Sequence, residues 1–74
     1  MSLDQLAAIV QLDWIKVNYA AKPYLDAMAS LRSINDNYGM ESGRSVVAYF
    51  LSNASTWRGD TARTIKTELK KRLN

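Results

Sequence analysis

Apolar residues recur at helical spacing along the whole chain. Ser2 followed by Gln5 is a capping-box pattern, which is typical of the start of a helix. The apolar positions that follow are spaced by three or four residues: Leu3, Leu6, Ala7, Val10, Trp14 and Val17. The pattern predicts a first helix that runs to about Ala21.

A second helix is predicted after the pair Lys22-Pro23. Proline disfavours helical geometry at the residue before it and suits the first position of a new helix. The apolar side chains of this helix share one face: Tyr24, Ala27, Met28, Leu31 and Ile34. Gly39 can take the left-handed conformation that ends a helix, and we expect Met40 to fold back on Ile34.

Two further helices are predicted in the second half of the chain. Ser42 is a suitable cap for the third, whose inward face is Val46, Val47, Phe50, Leu51 and Ala54. Trp57 continues this face by one turn, so we expect it to be buried and not an exposed binding aromatic. Gly59 then breaks the helix and Asp60 caps the fourth. The inward face of the fourth helix is Ala62, Ile65, Leu69 and Leu73.

These elements predict an all-α fold, a compact bundle of three to four short helices forming a single domain over residues 1–74. No stretch alternates with period two, so no sheet is expected. A chain of this length buries only about 60% of the surface that its unfolded form exposes, which leaves a thin core. Because the chain has no cysteine, no disulfide can supplement that core, and self-association is the expected supplement.

The first predicted helix carries two apolar faces. Leu12, Ile15 and Tyr19, with Ala8, lie nearly opposite the face that begins at Leu3. Either the other helices surround this helix completely, or the second face is an interface. The second alternative predicts a homodimer or higher oligomer that associates through Leu12, Ile15 and Tyr19.

Positive charge is concentrated at the end of the chain. The net charge is +3, and residues 58–74 contain six basic and two acidic side chains, whereas residues 1–57 have a small negative balance. Arg63, Lys66 and Lys70 recur at spacings of three and four, with Lys71 beside them. This stripe is either a solvated helix face or a contact for nucleic acid. Binding would be weak and independent of base sequence, because Arg63 is the only strong base-reading candidate at the start of the fourth helix.

The composition argues against catalysis. Without histidine or cysteine the chain cannot form the usual nucleophilic dyads and triads, and its three glycines form no phosphate-binding loop. The stretch SINDNYGMES is rich in oxygen ligands, but its glycine lies at the wrong offset for a calcium loop. We therefore expect no enzyme activity, no cofactor and no metal site. The start of the chain, MSLDQLAAIV, has no basic region, and no apolar run is long enough to span a membrane, so a cytoplasmic protein is expected.

The runs YAAKPYLDAM and YGMESGRSVVAYFLSNASTWRGDTARTIKTELK resemble small helical proteins encoded by bacteriophages, particularly those of actinobacteria. The resemblance covers about Val17 to Lys70. It implies a compact accessory protein that binds a host or phage macromolecule in the host cytoplasm, and it assigns no site residues. The expected function is thus a non-enzymatic protein-binding module that self-associates and modulates a host macromolecule, with an unidentified protein partner. The alternative is a small nucleic-acid-binding protein that uses the basic C-terminal helix.

Overall fold

Four helices and one small sheet make up the computed structural model, which describes all residues from 1 to 74. The helices are α1 (Leu3–Asp13), α2 (Lys22–Met28), α3 (Gly43–Ser52) and α4 (Asp60–Leu73). The strands β1 (Asn37–Tyr38) and β2 (Glu41–Ser42) pair antiparallel between α2 and α3. The fold is mostly helical, and the prediction that it contains no sheet is wrong.

The start of α1 is confirmed, and of the two alternatives for this helix, the one in which the other helices surround it is wrong. The Gln5 side-chain oxygen accepts a hydrogen bond from the Ser2 backbone N–H at 2.9 Å, which satisfies a donor that the helix leaves free. One face of α1 is buried, comprising Leu3, Leu6, Ala7 and Val10. Leu12 on the other side is 83% exposed, so the other helices do not surround α1.

The end of α1 lies at Asp13 and not near Ala21. Trp14 turns into the core, where it is only 7% exposed, and its backbone leaves the helical conformation. Asn18 then forms local hydrogen bonds in place of helical ones. Its side-chain oxygen accepts from the backbone N–H of Ala20 at 3.0 Å, and its carbonyl accepts from that of Ala21 at 2.8 Å.

The second helix is also shorter than predicted. It begins at Lys22, with the proline in its second position, and ends at Met28. The Asp36 carboxylate accepts hydrogen bonds from the backbone N–H groups of Arg32 at 3.1 Å and Ser33 at 3.2 Å. These donors would belong to the helix if it continued, so the carboxylate stabilises a turn in its place.

The predicted end of the second helix is a hairpin. Gly39 has φ +60°, the left-handed conformation expected of it, but it lies in the turn between β1 and β2 and ends no helix. Met40, in the same turn, is fully exposed. The prediction that Met40 folds back on Ile34 is therefore wrong, and Ile34 packs half-buried on the core without it.

The start of α3 is confirmed. The Ser42 hydroxyl accepts a hydrogen bond from the Ser45 backbone N–H at 3.0 Å. Gly43 follows and is buried where the preceding loop passes close to the helix. A Cβ atom on Gly43 would lie 2.9 Å from each of three backbone carbonyl oxygens, those of Ser33, Ile34 and Asp36. Only glycine fits this position without displacing the loop.

One core joins the four helices. It contains 18 buried apolar residues; α2 packs against α1 and α3, and α4 packs against the same two helices. The predicted inward residues of α3 and α4 are buried, except Leu51 and Leu73, which are half-buried. Asp60 is the first residue of α4 and Gly59 occupies the cap position, one residue earlier than predicted. No helix is both long enough and apolar enough to cross a membrane.

Candidate functional site

Three large apolar side chains near the end of α1 project into solvent. Leu12 is 83% exposed, Ile15 87% and Tyr19 89%, and we call these three side chains the apolar surface. Leu12 lies in the last turn of α1, whereas Ile15 and Tyr19 lie in the irregular segment that follows. The prediction that all three share a second face of one helix is therefore wrong in its geometry, although all three are exposed.

An aromatic cluster holds the segment that carries the apolar surface. Trp14 stacks on Trp57, with ring centroids 5.8 Å apart and an angle of 13° between the planes. Phe50 meets both rings edge-on, at 6.2 and 6.4 Å. The indole N–H of Trp57 donates a hydrogen bond to the Asp13 carboxylate at 2.8 Å. The end of α1 is thus fixed to the connection between α3 and α4.

Trp57 is buried as predicted, with 2% exposure. It reaches the core from the connection after α3, which ends at Ser52, and not from a further turn of that helix. The Asp13 hydrogen bond could not be anticipated from the sequence, because its partners are 44 residues apart.

The apolar surface borders the start of α4. Leu12 lines a shallow depression together with Ile9, Asp13 and Thr61. Thr61 belongs to the first turn of α4, so the depression extends from the apolar surface to the start of α4.

Five cations on α4 and just before it form the second candidate site, the cationic surface: Arg58, Arg63, Lys66, Lys70 and Lys71. The first three line a second shallow depression of about 350 Å³, whose remaining walls are Trp57, Gly59 and Ala62. Helical spacing in the sequence indicates the other four cations but not Arg58, because Arg58 precedes the helix. Arg58 could have been identified from the sequence by its positive charge beside the predicted start of the fourth helix.

Lys66 differs from the other members of the cationic surface. Its ammonium donates a hydrogen bond to the Trp57 backbone carbonyl at 2.6 Å and lies 5.8 Å from the centroid of the Trp57 ring. Burial lowers the pKa of Lys66, and the positive charges of Lys70 and Arg58 lower it further. Lys66 therefore has a structural contact and is not a free surface charge.

The remaining cations are open to solvent. Arg63 lies 3.3 Å from the Asp60 carboxylate, but the two side chains are 78% and 97% exposed, so this ion pair contributes little to stability. Lys70 and Lys71 are exposed and make no ion pair. The structure thus places Arg63, Lys66 and Lys70 along one side of α4 as predicted, and adds Arg58 at its start.

The acidic side chains are dispersed. No three of them meet in an arrangement that could hold a metal ion, and no polar side chain is buried. Glu68 accepts a hydrogen bond from Arg72 at 3.0 Å, which lowers the pKa of Glu68. Two candidate sites remain, the apolar surface and the cationic surface.

Comparisons of the chain with protein-family models, with curated proteins and with solved structures find no match. The resemblance to phage-encoded proteins stays a prediction. The two surfaces are the basis on which a function is proposed.

Proposed function

We propose that the protein is a non-enzymatic binding module that self-associates through the apolar surface. The observation that carries the proposal is the exposure of Leu12, Ile15 and Tyr19, each above four fifths, within eight residues of chain. Apolar side chains exposed singly are ordinary, but three large ones exposed so near one another in the chain favour an interface. A two-fold dimer is the simplest closed assembly that covers the same surface on both copies.

The energy of such a dimer can be bounded. Burying one large apolar side chain contributes about 1.5–3 kcal/mol, so three from each copy contribute about 9–18 kcal/mol. Association costs about 4–15 kcal/mol in lost rotational and translational freedom, at a standard concentration of 1 M. The two ranges overlap, so the expected dimer is of moderate stability and depends on protein concentration.

The resemblance to phage proteins extends this proposal. It implies that the module acts on a host or phage macromolecule in the host cytoplasm. The proposed dimer would present two copies of each surface to that target. Absence of histidine and cysteine supports binding over catalysis as the activity.

Size-exclusion chromatography with light scattering tests the proposal. The parent protein should increase in mean mass towards a dimer as its concentration rises into the high micromolar range. Ile15→Glu should give a folded monomer, because Ile15 is 87% exposed and a carboxylate there is unfavourable only in an interface.

Met40→Glu is the matched control. It places the same charge on another fully exposed apolar side chain, in the hairpin turn outside the apolar surface, and should still dimerise. A parent protein that stays monomeric at high micromolar concentration contradicts the proposal. Equal dissociation of both variants contradicts it as well, because the effect would then follow net charge and not position.

A further inference from the structure

The solvent-facing side of α4 has no exposed apolar side chain. Its apolar residues are buried or half-buried, and its exposed side chains are charged or hydroxyl-bearing. Protein interfaces have an apolar centre from which charged residues are depleted. Nucleic-acid interfaces are polar and strongly positive. The composition of this side of α4 therefore favours nucleic acid over a protein partner.

Neighbouring acids neutralise only a small part of the positive charge at this surface. Only Asp60 pairs with one of the five cations, and both members of that pair are largely exposed. Glu68 instead pairs with Arg72. Burial is the main cause of the lowered pKa of Lys66, and its like-charged neighbours Lys70 and Arg58 lower it further, so an anion among them would relieve this repulsion.

The dimensions of the surface suit several phosphates. α4 has 14 residues and is therefore about 21 Å long. Duplex DNA carries one negative charge per about 1.7 Å of its axis, so several phosphates can face the helix at once. The depression bounded by Arg58, Arg63 and Lys66 gives the surface a concave end.

We propose that the cationic surface binds the phosphodiester backbone of nucleic acid without reading its sequence. Arg58, Arg63, Lys70 and Lys71 contact phosphates, while Lys66 keeps its contact with Trp57 and adds positive potential. Arg63 is the only strong candidate for recognising a base edge in the first turn of α4, so the phosphates dominate the interaction. This activity is separate from self-association, because it uses different side chains.

The test is a fluorescence anisotropy titration with labelled DNA duplexes of about 20 base pairs and unrelated sequences, at salt concentrations from about 50 to 200 mM. Four phosphate contacts give a slope of about −3.6 in the plot of log affinity against log salt, which is a loss of about 150-fold over that range. Duplex RNA of the same length is titrated in the same way. A preference for DNA or for RNA identifies the nucleic acid, and either one supports binding of the phosphodiester backbone that both contain.

Two triple variants locate the binding site. Arg58→Gln, Arg63→Gln and Lys70→Gln together should reduce the steepness of the salt slope by about 3, since each lost phosphate contact reduces it by about 1. The control combines Lys16→Gln, Lys22→Gln and Arg32→Gln, which remove the same charge from exposed positions outside the cationic surface. The control should keep the parent slope. Far-UV circular dichroism verifies that both variants are folded.

Four results would overturn the proposal. The first is no binding to any duplex at about 50 mM salt, where phosphate contacts are strong. The second is equal weakening in both triple variants, which would make net charge the cause. The third is selectivity for one duplex sequence that survives about 200 mM salt. The fourth is tighter binding of a poly-glutamate peptide than of either duplex, which would identify an acidic protein as the partner.

The Ile15→Glu variant should bind DNA detectably as a monomer, which separates a failure of nucleic-acid binding from a failure of self-association.

Discussion

Replacing Trp57 with alanine tests whether the aromatic cluster stabilises the whole domain. The indole is 2% exposed, stacks on Trp14, meets Phe50 edge-on and donates a hydrogen bond to Asp13. Alanine removes the buried ring and its three contacts at the point where α1, α3 and the start of α4 meet. The substitution therefore leaves a cavity between three of the four helices.

The expected loss is large relative to the stability of so small a chain. Truncating a buried tryptophan to alanine costs about 3–5 kcal/mol. The Asp13 carboxylate is exposed and returns to water, so its lost hydrogen bond adds no more than about 1 kcal/mol. We expect a loss of about 4 kcal/mol, against a total free energy of unfolding of about 4–11 kcal/mol for this length.

Urea denaturation followed by far-UV circular dichroism measures this loss. Trp57→Phe keeps a buried ring but removes the indole donor, and should lose only about 1–2 kcal/mol. Tyr38→Ala, at an exposed aromatic in β1, is the control and should change stability by less than about 1 kcal/mol. If Trp57→Ala unfolds within about 1 kcal/mol of the parent, the cluster does not have the role assigned to it.

Two further predictions concern single positions. Gly43→Ala should destabilise the protein by about 2 kcal/mol, because its Cβ would lie 2.9 Å from three backbone carbonyl oxygens. Helix propensity alone predicts the opposite, a gain in stability of about 1 kcal/mol. The sign of the change in urea denaturation therefore decides between the close approach of the loop and helix propensity. Glu68→Gln should lower stability at neutral pH and have progressively less effect in acid. The pKa of Glu68 is lowered by its hydrogen bond with Arg72, so its contribution is present above the unfolded-state pKa and is lost as the pH falls through the folded-state value. If the difference in free energy of unfolding between the Glu68→Gln variant and the parent, measured by urea denaturation, does not change with pH, this prediction is contradicted.

Helix starts and buried faces were predictable because short-range chemistry determines them. Ser2 with Gln5 and Ser42 with Ser45 form their capping contacts within three residues of chain. The apolar spacing on α3 and α4 selects the side chains that the core buries. Trp57 was assigned to the core for the same reason, although it lies beyond the end of α3.

Helix ends were not predictable from spacing because polar side chains and distant packing decide them. Asn18 and Asp36 satisfy nearby backbone groups that a longer helix would have used. Trp14 leaves the helix to stack on Trp57, a contact between residues far apart in the chain. Strands of two residues are too short to show an alternating pattern, so the hairpin around Gly39 left no signal of period two.

The candidate surfaces were predicted by residue type more accurately than by geometry. Leu12, Ile15 and Tyr19 were expected as a second helical face, and they are exposed although two of them lie outside the helix. Arg58 was missed because helical spacing does not reach it. Lys66 was expected as a free cation, but its contact with Trp57 depends on the fold of the connection before α4.

The irregular segment after α1 separates core from surface between adjacent residues. Trp14 is 7% exposed and Ile15 is 87% exposed, so the backbone turns one side chain inward and the next outward. In a continuing helix the two side chains would differ by only about 100° in direction, and a change at one would disturb packing at the other. Because the turn separates them, a charge at Ile15 leaves the contacts of Trp14 with Trp57 and Phe50 intact. Loss of self-association in Ile15→Glu, with the same unfolding midpoint as the parent at a low concentration where the parent is monomeric, would therefore report on the apolar surface alone.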